Sequence, residues 1–293
     1  MKTVATHNGS FHPDDVFAVA TMQLKFGVDE VNVIRTRDEE KIAEADYVLD
    51  VGGVHNPESG RFDHHQAGAP VRENGIPYAA FGLVWKAFGA DVTSEYVAEN
   101  IERAIVQPID AGDNGVSLYE LNEYKVQPAE LFSVISSYSP IEERSEEAFL
   151  EAFLEAVTFA RGYLERLIAY YTHQETENKK AGALYEASES KEMIIAEEHI
   201  SKNMFIQFSD VKVLVAPVET EEGEVWRATV IPKDYGTFET RASFPAEWGG
   251  LRAEDLRQIS GIEDAQFCHR AQFLFVAKSK EGAVAGAKVA MNE

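Results

Sequence analysis

Gly60-Arg61-Phe62-Asp63-His64-His65-Gln66 places three metal-competent side chains side by side, an arrangement that suits neither an apolar core nor an inert solvated surface. Upstream, Val48-Leu49-Asp50-Val51-Gly52-Gly53 and Thr6-His7-Asn8-Gly9-Ser10-Phe11-His12-Pro13-Asp14-Asp15 repeat the theme of acids and imidazoles after short apolar runs. Half of the eight histidines fall in two clusters, His7/His12 and His64/His65, within the first quarter of the chain. His55, His173 and His199 stand alone and read as ordinary polar groups.

Around these segments the hydrophobic pattern alternates. Lys2–Thr6 reads as a strand, 15–26 as a helix, Val31–Arg35 as a second strand, 39–45 as a short helix and 47–51 as a third strand. That β-α-β-α-β order argues for a parallel sheet covered on both faces. Helical patterns then dominate, at 78–88, 94–112, 128–137 and a long polar-faced stretch over 142–189. Beyond it, 192–196, 211–216 and 225–231 are strand-like, the last two joined by an acidic turn over 219–224. A helix near 254–259, a strand at 272–276 and a helix at 281–291 follow. The expected architecture is α/β: an N-terminal parallel-sheet domain over 1–140, a helical connector over 141–190 and a smaller C-terminal α/β domain over 191–293.

In open parallel sheets, ligands bind outside the carboxyl ends of the strands. His7 follows the first strand, Asp50 ends a buried run and Asp63 to His65 follow a short extended segment, so three segments are expected to converge on one edge. Ile109-Asp110-Ala111-Gly112-Asp113-Asn114-Gly115 offers further acids after an apolar helix. Carboxylates such as Asp14, Asp50 and Asp110 meeting at about 4 Å would repel by roughly 4 kcal/mol per pair at an effective dielectric near 20. Protons or divalent cations must then sit between them. A His/Asp set without thiolates suits Mn²⁺, Mg²⁺ or Co²⁺, and the imidazoles tilt the choice toward Mn²⁺. Asp113 and Asn114 are as ready to cap a helix end as to touch metal. Gly52-Gly53 reads as a sharp turn, since no Gly-Lys-Ser/Thr phosphate loop is present.

Composition bounds the function. The net charge of −23 over 293 residues opposes a broad, backbone-tracking nucleic-acid surface, so a phosphate ligand must be held locally. Cys268, the sole cysteine, excludes an intrachain disulfide and a Cys-rich zinc site and fits a reducing compartment. No apolar stretch of membrane-spanning length and no leader pattern is seen, so the expected location is the cytoplasm.

Taken in order, Thr6-His7-Asn8-Gly9 with Phe11-His12 and Asp14, Leu49-Asp50-Val51-Gly52, Phe62-Asp63-His64-His65-Gln66 and Ile109-Asp110 with Asp113-Asn114-Gly115 resemble the DHH phosphoesterase superfamily. Within it they resemble the MYG (melanocyte-proliferating-gene) family, as do Gly250-Leu251-Arg252 and Ser260-Gly261-Ile262. The resemblance spans most of the chain and implies a dinuclear centre. One metal would take His7, His12 and Asp50, the other Asp14, Asp50, His64 and Asp110, with Asp50 bridging and Asp15 supporting. Asp63 would orient the ligands, and His65 would face the substrate phosphate. The chain departs from the family after His269, where glycines give way to Phe273-Leu274-Phe275-Val276; the bulky Phe275 and Val276 are expected to close off backbone contact with a nucleotide. Arg252, His269 and Lys278 remain as phosphate contacts.

The resemblance implies a metal-dependent phosphodiesterase, a 3′→5′ exonuclease on RNA or short oligonucleotides, working through a dinuclear metal-activated water. The acidic balance keeps a second reading open, hydrolysis of a small phosphoester, dinucleotide or pyrophosphate. A third is a non-catalytic metal- or nucleotide-binding module, against which the intact ligand set speaks. Oligomeric state is left open.

Overall fold

The computed structural model describes residues 1–221 and 223–292; Glu222, in the expected acidic turn, lies outside the described residues. It contains two compact units, Met1–His173 and Gln174–Glu293.

In the first unit, β1 (Lys2–Thr6) pairs in parallel with β2 (Val31–Arg35) and with β3 (Tyr47–Leu49). β4 (His55–Asn56) and β5 (Arg61–Phe62) complete the order β2-β1-β3-β5-β4. β5 runs parallel to β3, but β4 runs antiparallel to β5, so the sheet is mixed, not wholly parallel as expected. Strands of two residues are too short to show an alternating pattern. The turn between them closes at Gly60, whose φ of 72° and whose hydrogen in place of a Cβ are both needed, because a Cβ there would lie 2.5 Å from the Asp46 carbonyl.

Helices α1 (Pro13–Phe26), α2 (Glu39–Glu44), α3 (Ala80–Val92), α4 (Glu95–Ile101), α5 (Gln107–Asp113) and α6 (Leu131–Ser136) surround this sheet. The expected helix over 94–112 is continuous from α4 to α5, with a π-helical turn at Glu102–Val106. Pro108 has no N–H to return to the carbonyl four residues back, and the ladder opens just before it. Val16, Phe17, Val19 and Ala20 of α1 are fully buried, with Phe17 5.3 Å from Phe81 of α3.

α7 (Glu146–Ala187) is a single helix of 42 residues, about 63 Å long at 1.5 Å per residue. The sequence suggests a connector, yet Phe153, Ala156, Val157, Ala160 and Leu164 form an apolar stripe at helical spacing that is part of the first unit's core. Near its other end, Ala181, Leu184 and Tyr185 join a cluster of the second unit, where Tyr185 stacks on Phe208 at 4.2 Å.

The second unit holds β6 (Met193–Ile195), β7 (Val213–Thr220), β8 (Gly223–Val230), β9 (Ala265–Cys268) and β10 (Leu274–Ala277) in the order β6-β7-β8-β10-β9. Only β6 and β7 are parallel. β9 was not legible as a strand. α8 (Ala253–Ser260) and α9 (Lys280–Met291) accompany the sheet. Small residues bring α9 close to it: a Cβ on Gly286 would lie 2.6 Å from the Phe275 ring. Among the described residues no helix is long and apolar enough to cross a membrane.

Candidate metal centre

His7 comes directly after β1, Asp50 directly after β3 and Asp63 to His65 directly after β5, so the three parallel strands deliver their acids and imidazoles to one edge. Asp14 and Asp15 occupy the first turn of α1, where the helix dipole favours negative charge. Asp50 turns the chain with φ 56°, a left-handed conformation uncommon outside glycine, and Gly52 and Gly53 continue the turn at 92° and 68°. The Gly53 N–H donates to Asp63 Oδ2 at 2.5 Å, which ties this turn to the Asp-His-His segment. The pair of glycines therefore serves the turn, as the sequence suggests.

Asp50 is the hub. Its Oδ2 lies 3.3 Å from His7 Nε2, and its Oδ1 lies 3.2 Å from His64 Nε2 and 3.6 Å from His65 Nδ1. Three groups of ligand atoms each fall within 4.8 Å: His7, Asp15 and Asp50; Asp50, His64 and His65; and His12, Asp14 and Asp113. His64 links the last two, because its Nε2 is also 3.3 Å from Asp113 Oδ2, while Asp113 Oδ1 is 3.5 Å from His12 Nδ1. A cavity of 460 Å³ opens on His7, His12, Asp50, His65 and Asp113, lined also by Arg37 and Val51.

Several of these atoms have no conventional partner. Both carboxylate oxygens of Asp14, Asp15 Oδ2, Asp50 Oδ1 and His64 Nε2 are buried without a hydrogen bond, and Asp14 is wholly inaccessible. An unpaired buried charge costs several kcal/mol, so such a cluster needs protons or cations. Burial, reinforced by the charges of Asp50 and Asp113, pushes the Asp14 carboxyl well above its ordinary range. Burial also takes Asp15 up to about 7, against the pull of His7 and Arg35. His64 is pushed up to about 10, since the carboxylates of Asp113 and Asp50 beside its Nε2 outweigh burial. Asp50 and Asp113 are held low: burial would raise both, but His64 and His7 around Asp50, and His12 and His64 around Asp113, outweigh it. The donors are carboxylate oxygen and imidazole nitrogen without sulfur, which fits a divalent cation of the Mg²⁺, Mn²⁺ or Co²⁺ type. Convergent donors that lack hydrogen bonds to one another are what such an ion would fill.

Asp63 has another task. Its Oδ1 accepts from the backbone N–H of His64 at 2.7 Å and of His65 at 3.1 Å, and is 2.7 Å from His65 Nδ1. Both oxygens are thus committed to holding the segment, and the His65 ring remains 62% exposed at the mouth. Asp15 is likewise half spent, its Oδ1 accepting from the His12 N–H at 2.9 Å and so fixing the start of α1.

Asp110, expected among the ligands, is placed elsewhere. Its carboxylate takes Arg72 Nη2 at 2.7 Å and the Gly82 N–H at 3.0 Å, and it joins none of the three ligand groups. Asp113, one helical turn later at the end of α5, stands in the cluster instead. Asn114 caps that helix, its side-chain amide donating to the Asp110 carbonyl at 2.8 Å.

The profile described as an uncharacterised protein family (UPF0160), MYG1_exonuc, matches residues 3–291. The chain belongs to this MYG1 family. It is 27% identical over 321 residues to a protein named MYG1 exonuclease from Bos taurus, covering 98% of this chain and 84% of that one. The MYG1 exonuclease of Homo sapiens is 25% identical over 98% of this chain and 85% of its own. The MYG1 protein of Chlamydia trachomatis is 31% identical over 96% and 93% of the two chains. Among solved structures, a pGpG-specific phosphodiesterase, PggH from Vibrio cholerae, aligns over 99% of this chain at 13% identity and a TM-score of 0.33. At that score the likeness locates no residue.

Two arginines that the sequence reading left unmarked stand near the centre of this MYG1 family member. Arg37 lines the cavity directly. Arg35, at the end of β2, lies 4.6 Å over the Phe153 ring and 5.3 Å from that of Phe11. Its Nη1 donates to the Gly9 carbonyl at 2.9 Å, and its Nη2 lies 3.9 Å from Asp15 Oδ2, so it braces the loop between His7 and His12. Neither residue has a spacing that marks it in sequence.

In the second unit, Arg252 lies 4.5 Å over the Phe267 ring. The His269 ring is 4.3 Å from that of Phe273, with its Nδ1 accepting from the Ala271 N–H. Lys278 is exposed just beyond β10. Phe275, expected to obstruct the backbone, turns into the core against Phe244 and Trp248 at 5.7 and 5.5 Å.

Proposed function

We propose that this chain is a metal-dependent phosphodiesterase acting as a 3′→5′ exonuclease on RNA or short oligonucleotides. The observation that carries the reading is the Asp50-centred cluster, with buried carboxylates and an imidazole nitrogen that lack hydrogen bonds at the edge of a parallel sheet. Its support from relatives is the exonuclease name of proteins matched over nearly the full chain.

His7, His12, Asp14, Asp50, His64 and Asp113 would hold two divalent cations, Mn²⁺ by preference. Bound there, such ions supply Lewis acidity, an activated water and charge neutralisation for in-line phosphoryl displacement. The protein's own side chains do the rest. Asp63 holds His65 through Nδ1, so a proton carried at Nε2 makes the ring a cation able to donate to the leaving oxygen or to steady the phosphoryl charge. Arg37 offers a planar guanidinium to a non-bridging phosphate oxygen. Asp15 and Arg35 keep the His7–His12 loop in place.

The net charge of −23 favours short substrates over long duplexes and keeps hydrolysis of a small phosphoester or dinucleotide as the second reading. Incubating end-labelled RNA and DNA oligonucleotides and a dinucleotide with Mn²⁺, using the Asp50→Ala protein as control, separates them. Stepwise shortening from the 3′ end that the variant lacks is the expected result. Turnover of the dinucleotide alone would move the substrate to the second reading, and oligonucleotide cleavage that survives Asp50→Ala would defeat the site.

A further inference from the structure

The sheet of the second unit has two unlike faces. Alternate residues of its central strands, Val213, Val215, Ala228, Val230, Phe275 and Ala277, are fully buried on the α9 side. The intervening Arg227, Thr229, Leu274 and Val276 are only half-buried. Register places Arg227 beside Ala216 on one side and Val276 on the other, with Phe267 next in the row. Arg227 and Thr229 line a cavity of 240 Å³, together with His199, Ser201 and Lys202 from the segment after β6 and an apolar floor that includes Leu214.

Two features of this cavity point to an anion. The chain has 50 acidic residues against 27 Lys and Arg, yet among the described residues no Asp or Glu lines this cavity, while His199, Lys202 and Arg227 do. Arg227 Nε is buried and makes no hydrogen bond among the described residues, so a donor of a permanently charged group is left without an acceptor. Lys202 is half-withdrawn from water: burial lowers its ammonium from the ordinary lysine range, and its Nζ lies 4.9 Å over the Phe273 ring. Of the two acids that directly precede His199, Glu197 is bonded to Lys280, and neither it nor Glu198 lines the cavity.

We infer that this cavity binds the phosphate of a single nucleotide, with Arg227 and Lys202 as its two cationic contacts, Thr229 and Ser201 as hydroxyl donors and the apolar floor beneath the sugar or base. The volume is below the roughly 300–1,000 Å³ of drug-sized sites, which limits the occupant to one nucleotide. The inference rests on the phosphodiesterase reading for its choice of ligand and extends it by giving the second unit a phosphate subsite apart from Asp50.

Titration calorimetry on the full chain carrying Asp50→Ala, with adenosine 5′-monophosphate, inorganic phosphate and adenosine as separate probes, tests it without cleavage. Adenosine monophosphate is expected to bind and adenosine to bind more weakly. Adding Arg227→Gln or, separately, Lys202→Gln should weaken the monophosphate by about tenfold or more, a loss of about 1.4 kcal/mol. Phosphate binding that both substitutions weaken equally would show that the anion is the recognised part. Monophosphate affinity unchanged by both substitutions, in proteins with wild-type circular dichroism, would overturn the site. Binding lost with Arg227 in a protein that cleaves no oligonucleotide would sink the exonuclease reading and leave this one standing.

Discussion

Replacing Asp14 by Asn should stabilise the metal-free protein and abolish its response to divalent cations. Asp14 is wholly buried, neither oxygen has a hydrogen bond, and its ligand atom lies within 4.8 Å of one on Asp113. At an effective dielectric of about 20, that separation corresponds to about 3.5 kcal/mol of repulsion when both are ionised. For a unit of 173 residues, about 2–4 °C per kcal/mol turns this into a rise of up to about 14 °C in Tm. The sign follows from the titration: the folded-state pKa of Asp14 is raised above its unfolded value, so ionising it as pH rises withdraws stability, and the loss is absent at low pH. The gain from Asn should therefore be largest near pH 8.5 in chelator, smaller at pH 5, and absent only below the unfolded-state value of 3.8. Differential scanning calorimetry at both pH values, with chelator and then with Mn²⁺, reads it directly. Wild type is expected to rise in Tm with Mn²⁺ and the variant to stay level. A variant less stable than wild type in chelator at pH 8.5, or one that Mn²⁺ stabilises as much as wild type, would refute the account of an unpaired charge awaiting a cation.

Asp113→Asn should remove Mn²⁺ binding and also lower stability at neutral pH, because His12 and His64 lose the carboxylate they pair with, whereas Asp110→Asn should cost about 3 kcal/mol by stripping Arg72 of a buried partner and leave Mn²⁺ binding in place; metal titrations beside urea melts distinguish the two. Gly82→Ala would set a Cβ 1.8 Å from Asp110 Oδ2, and a loss of more than about 3 kcal/mol is expected in the same melts. Mn²⁺ affinity should rise with pH from 6 to 8.5, because His64, held protonated up to about 10, and Asp14 must give up protons to the metal. Calorimetry in buffers of different ionisation enthalpy would count those protons, and a pH-independent affinity would contradict the shifted titrations.

Much of the centre could be read from residues that follow apolar runs. His7, Asp50 and Asp63 to His65 end strands, and strand ends share an edge whenever the pairing is parallel, so convergence followed from the β-α-β order for His7 and Asp50 and from the short extended segment before Asp63 for the rest. The choice between Asp110 and Asp113 did not follow. The two lie on one helix, and which of them reaches the cluster depends on Arg72, from an irregular loop without periodicity, and on the absence of a side chain at Gly82, which together claim Asp110. Arg35 and Arg37 were missed because a basic residue at or just after a strand end has no spacing to mark it. β4 and β9 escaped because strands of two to four residues leave too few alternations to count, and β5 showed only as a short extended segment.

The 42-residue α7 bears on how this protein can be cut. A fragment ending near residue 140, where composition suggests a domain boundary, would lack Phe153, Ala156, Val157, Ala160 and Leu164, all with no accessible surface in the first unit. Its core would open along the groove that those side chains fill, and Phe11, whose ring is 5.5 Å from that of Phe153, would lose its neighbour on the very loop that carries His7 and His12. A truncated catalytic half would thus fail for want of a wall, and its silence in an assay would say nothing about the chemistry. A workable fragment has to run through residue 173 at least and end inside a helix, where a new carboxyl terminus leaves the last carbonyls for solvent to satisfy.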